Sequence, residues 1–186
     1  MIIGKLCKRI QLLYANLTYE TKRAYLINQG ALIGRNTRMN CNVDAFGSEP
    51  YLITVGENCL FASGIHFITH DGAVKVLNTQ KRFGRDRMDI IAPIRIGNNV
   101  YVGMGAYILP GVTIGDNSII GAGAVVTKDI PEDSVAAGVP ARVLETVDEY
   151  YMHVINKNNV YRTAGMDSKS KRKFFEKCGL RDSYWK

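Results

Sequence analysis

Residues 96–131 read Ile96-Gly-Asn-Asn-Val-Tyr, Val102-Gly-Met-Gly-Ala-Tyr, Ile108-Leu-Pro-Gly-Val-Thr, Ile114-Gly-Asp-Asn-Ser-Ile, Ile120-Gly-Ala-Gly-Ala-Val and Val126-Thr-Lys-Asp-Ile-Pro131, six blocks of six without a gap. The first position is always aliphatic, and the second is usually Gly. The fifth is small or β-branched: Val100, Ala106, Val112, Ser118, Ala124, Ile130. A period of six suits neither a 3.6-residue helix nor a plain alternating hairpin. It suits a parallel coil in which each block is a short strand plus a corner, and three blocks close a turn of about 18 residues. The first-position aliphatics then point inward and stack turn on turn. Gly, Asn and Asp tolerate the backbone conformations that the corners require. With strands about 4.8 Å apart, roughly five turns make a prism about 24 Å tall. Six consecutive in-register blocks argue against a chance run in a β-sandwich.

The period extends toward the N-terminus. Ile33-Gly34, Met39, Val55-Gly56, Phe61-Ala62 and Phe67 continue it, and Ile90 stands six before Ile96. Residues 44–52 and 71–89 interrupt it, and loops as long as the second usually fold as lids or binding loops. At the start, Leu6, Ile10, Leu13 and Leu17 have helical spacing, followed by Tyr25 and Leu26 before Gly30. The reading is an all-β core with helical additions: an amphipathic cap over 1–29, the coil over 30–145 and a basic helical tail over 146–186. The cap is expected to pack on the coil, with Lys5, Lys8 and Arg9 giving at most a peripheral membrane contact. The run Lys169-Ser-Lys-Arg-Lys173 reads as a solvated helix face.

The chain has 186 residues, 46% of them hydrophobic, and a formal charge of +7. Residues 1–38 hold seven Lys/Arg against one acid, residues 39–145 eight against eleven, and residues 146–186 nine against five. Basicity thus belongs to the ends, whereas a nucleic-acid protein concentrates it on a folded face. Cys7, Cys41, Cys59 and Cys178 form no CxxC pair, which points away from zinc or a disulfide scaffold and toward a reducing cytoplasm. No stretch approaches the length of a membrane span, and no signal-peptide pattern opens the chain.

A regular solenoid has no pocket of its own, so the interruptions should carry the chemistry. His70 stands where a strand ends and the loop over 71–89 begins, in Phe67-Ile-Thr-His-Asp71. A neutral His there can take a proton near pH 7. His66 is the rival, and Asp71 is adjacent to His70 but is not shown to orient it.

The segments Ile96-Gly-Asn-Asn-Val-Tyr-Val-Gly103, Pro110-Gly-Val-Thr-Ile-Gly-Asp-Asn117, Gly121-Ala-Gly-Ala-Val-Val-Thr-Lys-Asp-Ile-Pro131 and Ala137-Gly-Val-Pro-Ala-Arg-Val143 closely resemble the left-handed β-helix acyltransferases of the galactoside and maltose acetyltransferase type. The resemblance covers about residues 30–145. The ends look most like the branch associated with capsule, O-antigen and exopolysaccharide genes. The resemblance implies a left-handed coil, acetyl-CoA as co-substrate, no metal, and transfer of acetyl to a sugar hydroxyl. It implies that His70 is the general base, with direct attack on the thioester and no acyl-enzyme, so that Cys41 and Cys59 are packed repeat residues. Asn40, and with it Asp44, matches the acceptor site. The turn at Gly103 and Met104 matches the oxyanion site, where some members carry Ser and only a backbone N–H near Met104 can serve here. Ala122 and Gly123 would leave room for the pantetheine arm. Thr127 and Lys128 would bond its amides and phosphates, and Arg142 a nucleotide phosphate. Family members are trimers, so His70 of one chain would face the acyl channel of the next.

Other readings stay open at this point. N-acetylation of an amino sugar nucleotide and a non-catalytic scaffold both fit the coil. A zinc enzyme of the γ-carbonic anhydrase type needs three His ligands, and only His66 and His70 lie in the coil. Lys81, Arg82, Arg85 and Arg87 in the loop would suit an anionic acceptor or simply be solvated.

Overall fold

The structure is a computed structural model and describes residues 10, 12–157 and 159–179. The strands fall into three parallel ladders that the chain visits in rotation. One face holds Leu32–Ile33, Ile53–Val55, Ile94–Ile96 and Thr113–Ile114, and Ile130 bridges to Ile114. A second holds Arg38–Met39, Leu60–Phe61, Tyr101–Val102, Ile119–Ile120 and Ser134–Gly138. A third holds His66–Phe67, Tyr107–Ile108 and Val125–Val126. Arg95 pairs with Thr113, Tyr101 with Ile119 and Tyr107 with Val125, so each regular turn takes 18 residues.

The inward residue of each strand is the first-position aliphatic. Ile96, Val102, Ile108, Ile114, Ile120 and Val126 are all at most 3% exposed. Each such side chain gains about 1.5–3 kcal/mol from burial. Fifth-position side chains fill the corners, and the hydroxyl of buried Ser118 donates to the Pro131 carbonyl at 2.9 Å. At one corner, five residues take a left-handed φ between 53° and 59°: Asn36, Asn58, Asn99, Asn117 and Asp133. Their side chains bond along the axis. Asn36 donates to Asn58 at 3.1 Å, Asn99 to Asn117 at 3.0 Å, and Asn117 to Asp133 at 3.0 Å. Asn and Asp tolerate this conformation best among residues with a Cβ.

Five rungs form on two faces but only three on the third. In the first turn, two short 3-10 turns, Val43–Phe46 and Pro50–Leu52, replace the strand. Phe46 is fully buried, with its ring centroid 4.7 Å from Phe67 and 6.5 Å from Phe61. The interruption therefore plugs the coil as well as protruding from it. Ile90 does not continue the inward row despite its spacing. It is 44% exposed and pairs with Asp71 across a two-residue antiparallel ladder.

The ends of the coil are closed in two ways. Helix α1 (Tyr19–Asn28) starts with a capping box, Thr18 and Thr21 each accepting the other's backbone N–H. Its Lys22, 8% exposed, donates from Nζ to the Met39 and Cys41 carbonyls, and Arg23 donates to those of Ile33 and Gly34. These four carbonyls belong to the first turn, whose Gly34, Arg38 and Asn40 N–H groups pair with the second. Ser134–Gly138 meets the far end and folds back on Ala141–Thr146 as an antiparallel hairpin. Preceding α1, the expected inward row is turned outward: Ile10, Leu13 and Leu17 are 58%, 72% and 69% exposed. Leu12 and Ala15 face the coil instead, because the Asn16 side chain accepts from the Val43 N–H at 2.9 Å and fixes the roll of this segment. Lys5, Leu6, Lys8 and Arg9 lie outside the described residues.

Two compact units result, Met1–Tyr150 and Tyr151–Lys186. Helix α3 (Val147–Asn156) runs across their boundary. The second unit also carries α4 (Ser168–Lys177), N-capped by Asp167. Tyr161, Phe174 and Phe175 cluster there with ring centroids 5.3–6.0 Å apart, and no described residue of this unit is buried.

Asn117→Ala should lower stability by about 1–2 kcal/mol, from a strained φ and two lost hydrogen bonds. Asn117→Gly should cost less, since glycine removes the strain but not the lost bonds. Urea denaturation of the three proteins checks the order.

Candidate active site

The third-face strand ending at Phe67 leads through buried Thr69 to His70. His70 and Asp71 pair with Ile91 and Ile90, which draws the two ends of the intervening loop together. Within the loop, α2 (Val74–Thr79) is tied to the return strand by Asn78, whose side chain donates to the Met88 carbonyl at 2.7 Å and accepts from its N–H at 3.0 Å. Asp71 accepts from the Ala73 N–H at 2.8 Å, so its carboxylate serves its own turn.

The carboxylate that meets His70 comes from the first interruption. Glu49 Oε2 lies 2.9 Å from His70 Nδ1 and accepts from the Thr69 hydroxyl at 2.6 Å, while Oε1 accepts from Ser48 at 2.8 Å. The Glu49 side chain is 17% exposed and that of His70 51%. The Thr69 hydroxyl, then His70 and Ser48, hold the Glu49 carboxyl down at about 2 against the opposing effect of burial. An ionised carboxylate only accepts, so Nδ1 carries a proton, and in the neutral ring Nε2 keeps its lone pair. Nothing in the sequence announced Glu49. It stands 21 residues before its partner, a distance that follows from neither interruption alone.

His70 lines two cavities. One, of about 910 Å³, is walled by Ser48, Glu49 and the loop, including Lys75, Lys81, Arg85 and Arg87 as well as Asp86 and Asp89. The other, of about 590 Å³, follows the third face past Tyr107, Leu109, Pro110 and Val125 to Thr127. The first is bordered by charged and polar groups. The second is a mainly apolar trough with His70 at one end and a hydroxyl at the other.

The remaining sequence-derived candidates sit in several places. Thr127 lines the trough, and exposed Lys128 follows it. Gly103, Met104, Ala122 and Gly123 lie at the opposite edge of the third face, between the second-face and third-face strands. There a Cβ on Gly103 would come within 2.5 Å of the Ala122 nitrogen, and Gly123 needs a φ of 68°. The amides of Gly103 and Gly105 donate to Ile120 and Ser63, so Met104 is the residue of this turn whose N–H can serve a ligand. Arg142 lies on the hairpin, with Nη1 donating to the Ala141 carbonyl at 2.8 Å. Asn40 accepts from the Tyr19 hydroxyl at 2.8 Å, and exposed Asp44 sits in the Val43–Phe46 turn; neither lines the two cavities. Cys41 and Cys59 are buried, and burial pushes the Cys41 thiol up to about 11 and raises that of Cys59. His66 stacks on Tyr107 at 5.0 Å. Among the described residues no group of three His, Cys, Asp or Glu stands close enough to hold a metal. No described helix is long and apolar enough to cross a membrane.

A histidine between a polar cavity and a trough along a three-sided coil is a recognisable arrangement. The family described as bacterial transferase hexapeptide (six repeats) matches residues 93–128. Protein CapG of Staphylococcus aureus is 41% identical over 127 residues, which is 68% of this chain and 72% of that protein. Galactoside O-acetyltransferase of Escherichia coli K12 is 41% identical over 126 residues, and the match spans only 59% of its length. A galactoside acetyltransferase solved in complex with coenzyme A superposes over 88% of both chains, with a TM-score of 0.51 and 26% identity. The chain belongs to the hexapeptide-repeat acyltransferase family.

The depressed Glu49 carboxyl makes a prediction about stability. Its contribution is complete above its ordinary value of 4.5 and is lost as the pH falls toward about 2. Glu49→Gln should therefore be less stable than wild type at pH 7, and the gap should narrow as the pH falls through that window. Urea melts of both proteins across the range measure it.

Proposed function

We propose that this chain transfers an acetyl group from acetyl-CoA to a hydroxyl of a sugar or a saccharide precursor, in surface polysaccharide synthesis. The observation that carries the reading is His70, oriented by Glu49, at the junction of the two cavities. The polar cavity suits an acceptor with several hydroxyls. The trough suits the thin, largely apolar arm of the donor, and Thr127 offers a hydroxyl to its amides. Similarity to galactoside O-acetyltransferase supports a sugar as acceptor.

The donor supplies an acyl group activated as a thioester. In this reading His70 Nε2 takes the proton of the acceptor hydroxyl as that oxygen bonds to the acyl carbon. When the carbon–sulfur bond breaks, the same proton goes to the sulfur, and His70 is neutral again. Glu49 holds the ring in the required tautomer and balances the imidazolium charge while it lasts. The Met104 N–H is the candidate donor to the developing oxyanion.

Gly103, Met104, Ala122 and Gly123 stand on the edge of the third face away from His70. A neighbouring chain lying alongside would bring its own such edge to this chain's His70, which is the reason to read a homotrimer with sites between chains. The outward residues Leu60, Tyr101 and Tyr107, 38–41% exposed, give that packing an apolar surface. We also propose a left-handed coil, the division 1–29, 30–145 and 146–186, acceptor contacts from Asn40 and Asp44, phosphate contacts from Lys128 and Arg142, and a cytoplasmic setting.

His70→Ala should lower kcat by about 10²–10⁴. Acetyl-CoA at about 100 times its Kd should stabilise wild type and His70→Ala alike, by about 2.7 kcal/mol. Thermal unfolding and single-turnover assays test both. No stabilisation of either protein at millimolar donor would overturn the reading.

A further inference from the structure

The seven net charges of this protein are distributed very unevenly between its two units. Residues 151–186 hold nine Lys/Arg against three Asp/Glu, a net +6, while residues 1–150 hold fifteen against fourteen, a net +1. A fifth of the chain therefore carries nearly all of the charge. On α4, Lys169, Lys173 and Lys177 recur every four residues and form one exposed stripe. Arg172 on the same helix pairs with Glu176 at 3.0 Å, so that acid answers one cation.

The same unit is apolar in an unusual way. None of its described residues is buried, so it has no core of its own. Its aromatic cluster of Tyr161, Phe174 and Phe175 is only half-buried, and Tyr151, Met152, Ile155 and Val160 are 43–62% exposed. A unit this small without a core needs another surface to hold it. That surface must accept lysines and exposed apolar side chains together.

We propose that residues 151–179 dock on a bilayer bearing anionic lipids. Headgroup charge attracts the lysine stripe, whose aliphatic stems lie along the interface while the ammonium groups stay hydrated. Tyr151, Met152 and Ile155 enter the boundary between headgroups and acyl chains, as the apolar side of an interfacial helix does. A second copy of the unit is a poor alternative partner, because +6 would face +6. A soluble polyanion satisfies the lysines but leaves the apolar side chains in water. The consequence is that a bilayer surface holds the enzyme near acceptors carried there. The inference stands independently of the acyl-transfer reading, since it uses no residue of the His70 site.

Flotation of the full chain with vesicles tests it. Binding is expected to phosphatidylcholine vesicles containing about 30 mol% phosphatidylglycerol and not to phosphatidylcholine alone. Raising NaCl to about 0.5 M, or replacing Lys169, Lys173 and Lys177 together by Glu, should weaken binding at least about tenfold. Met152→Ser with Ile155→Ser should weaken it several-fold without changing its salt dependence. Equal binding to neutral vesicles, or none to anionic ones, overturns the proposal. So does loss on charge reversal with no effect of the serine pair and equally tight retention on polyphosphate, which identifies a polyanion site instead. Circular dichroism of each variant separates lost helix from lost affinity.

Discussion

The backbone ladder between successive turns is the constraint from which the rest of this structure follows. Each N–H reaches along the axis to a carbonyl one turn away: Gly34 to Val55, Gly56 to Ile96, Gly97 to Ile114, Gly115 to Ile130. Other N–H groups, such as those of Asn58 and Asn99, reach back to Arg35 and Glu57, but the first turn has no turn before it and is left with carbonyls that have no strand to meet. Buried unpaired carbonyls are costly, and a bare strand edge invites another chain. Lys22 and Arg23 answer both problems by donating to these carbonyls from α1. At the far end the antiparallel hairpin turns the chain away from further stacking.

The ladder also decides where variation is allowed. Residues inside a rung have their polar groups committed and their side chains alternating between core and surface. A corner can absorb extra chain without disturbing either neighbour. Both interruptions enter the third-face side of the coil, one in place of a strand and one just after it. The first does double work, because Phe46 completes the aromatic core while Glu49, three residues on, faces outward to His70. The histidine is thus fixed by a strand below it and a carboxylate beside it. The walls of its polar cavity come from a loop held shut by Asn78 and a two-residue ladder. A rigid frame with loops at its corners combines fixed chemistry with an adjustable pocket shape.

The second unit obeys a different logic. The coil buries its aliphatic rows almost completely, whereas residues 151–179 keep apolar groups and lysines alike in water. One unit is self-sufficient and nearly neutral, and the other is charged and without a core.

The six-residue period determined the coil, its inward rows and the places where it breaks, because each block repeats one local conformation and one burial pattern. It also placed His70 at the mouth of the long loop. Three features depended on the tertiary structure. The outward roll of Ile10, Leu13 and Leu17 was set by one hydrogen bond that Asn16 accepts from the Val43 N–H, and helical spacing is blind to it when two apolar rows compete. The replacement of a strand by the Phe46 turn depended on aromatic shape within the core. The pairing of Glu49 with His70 depended on how two insertions of unequal length fold toward one another. Periodicity is local and therefore legible along the chain. A contact between two irregular segments exists only once the coil has brought their corners together.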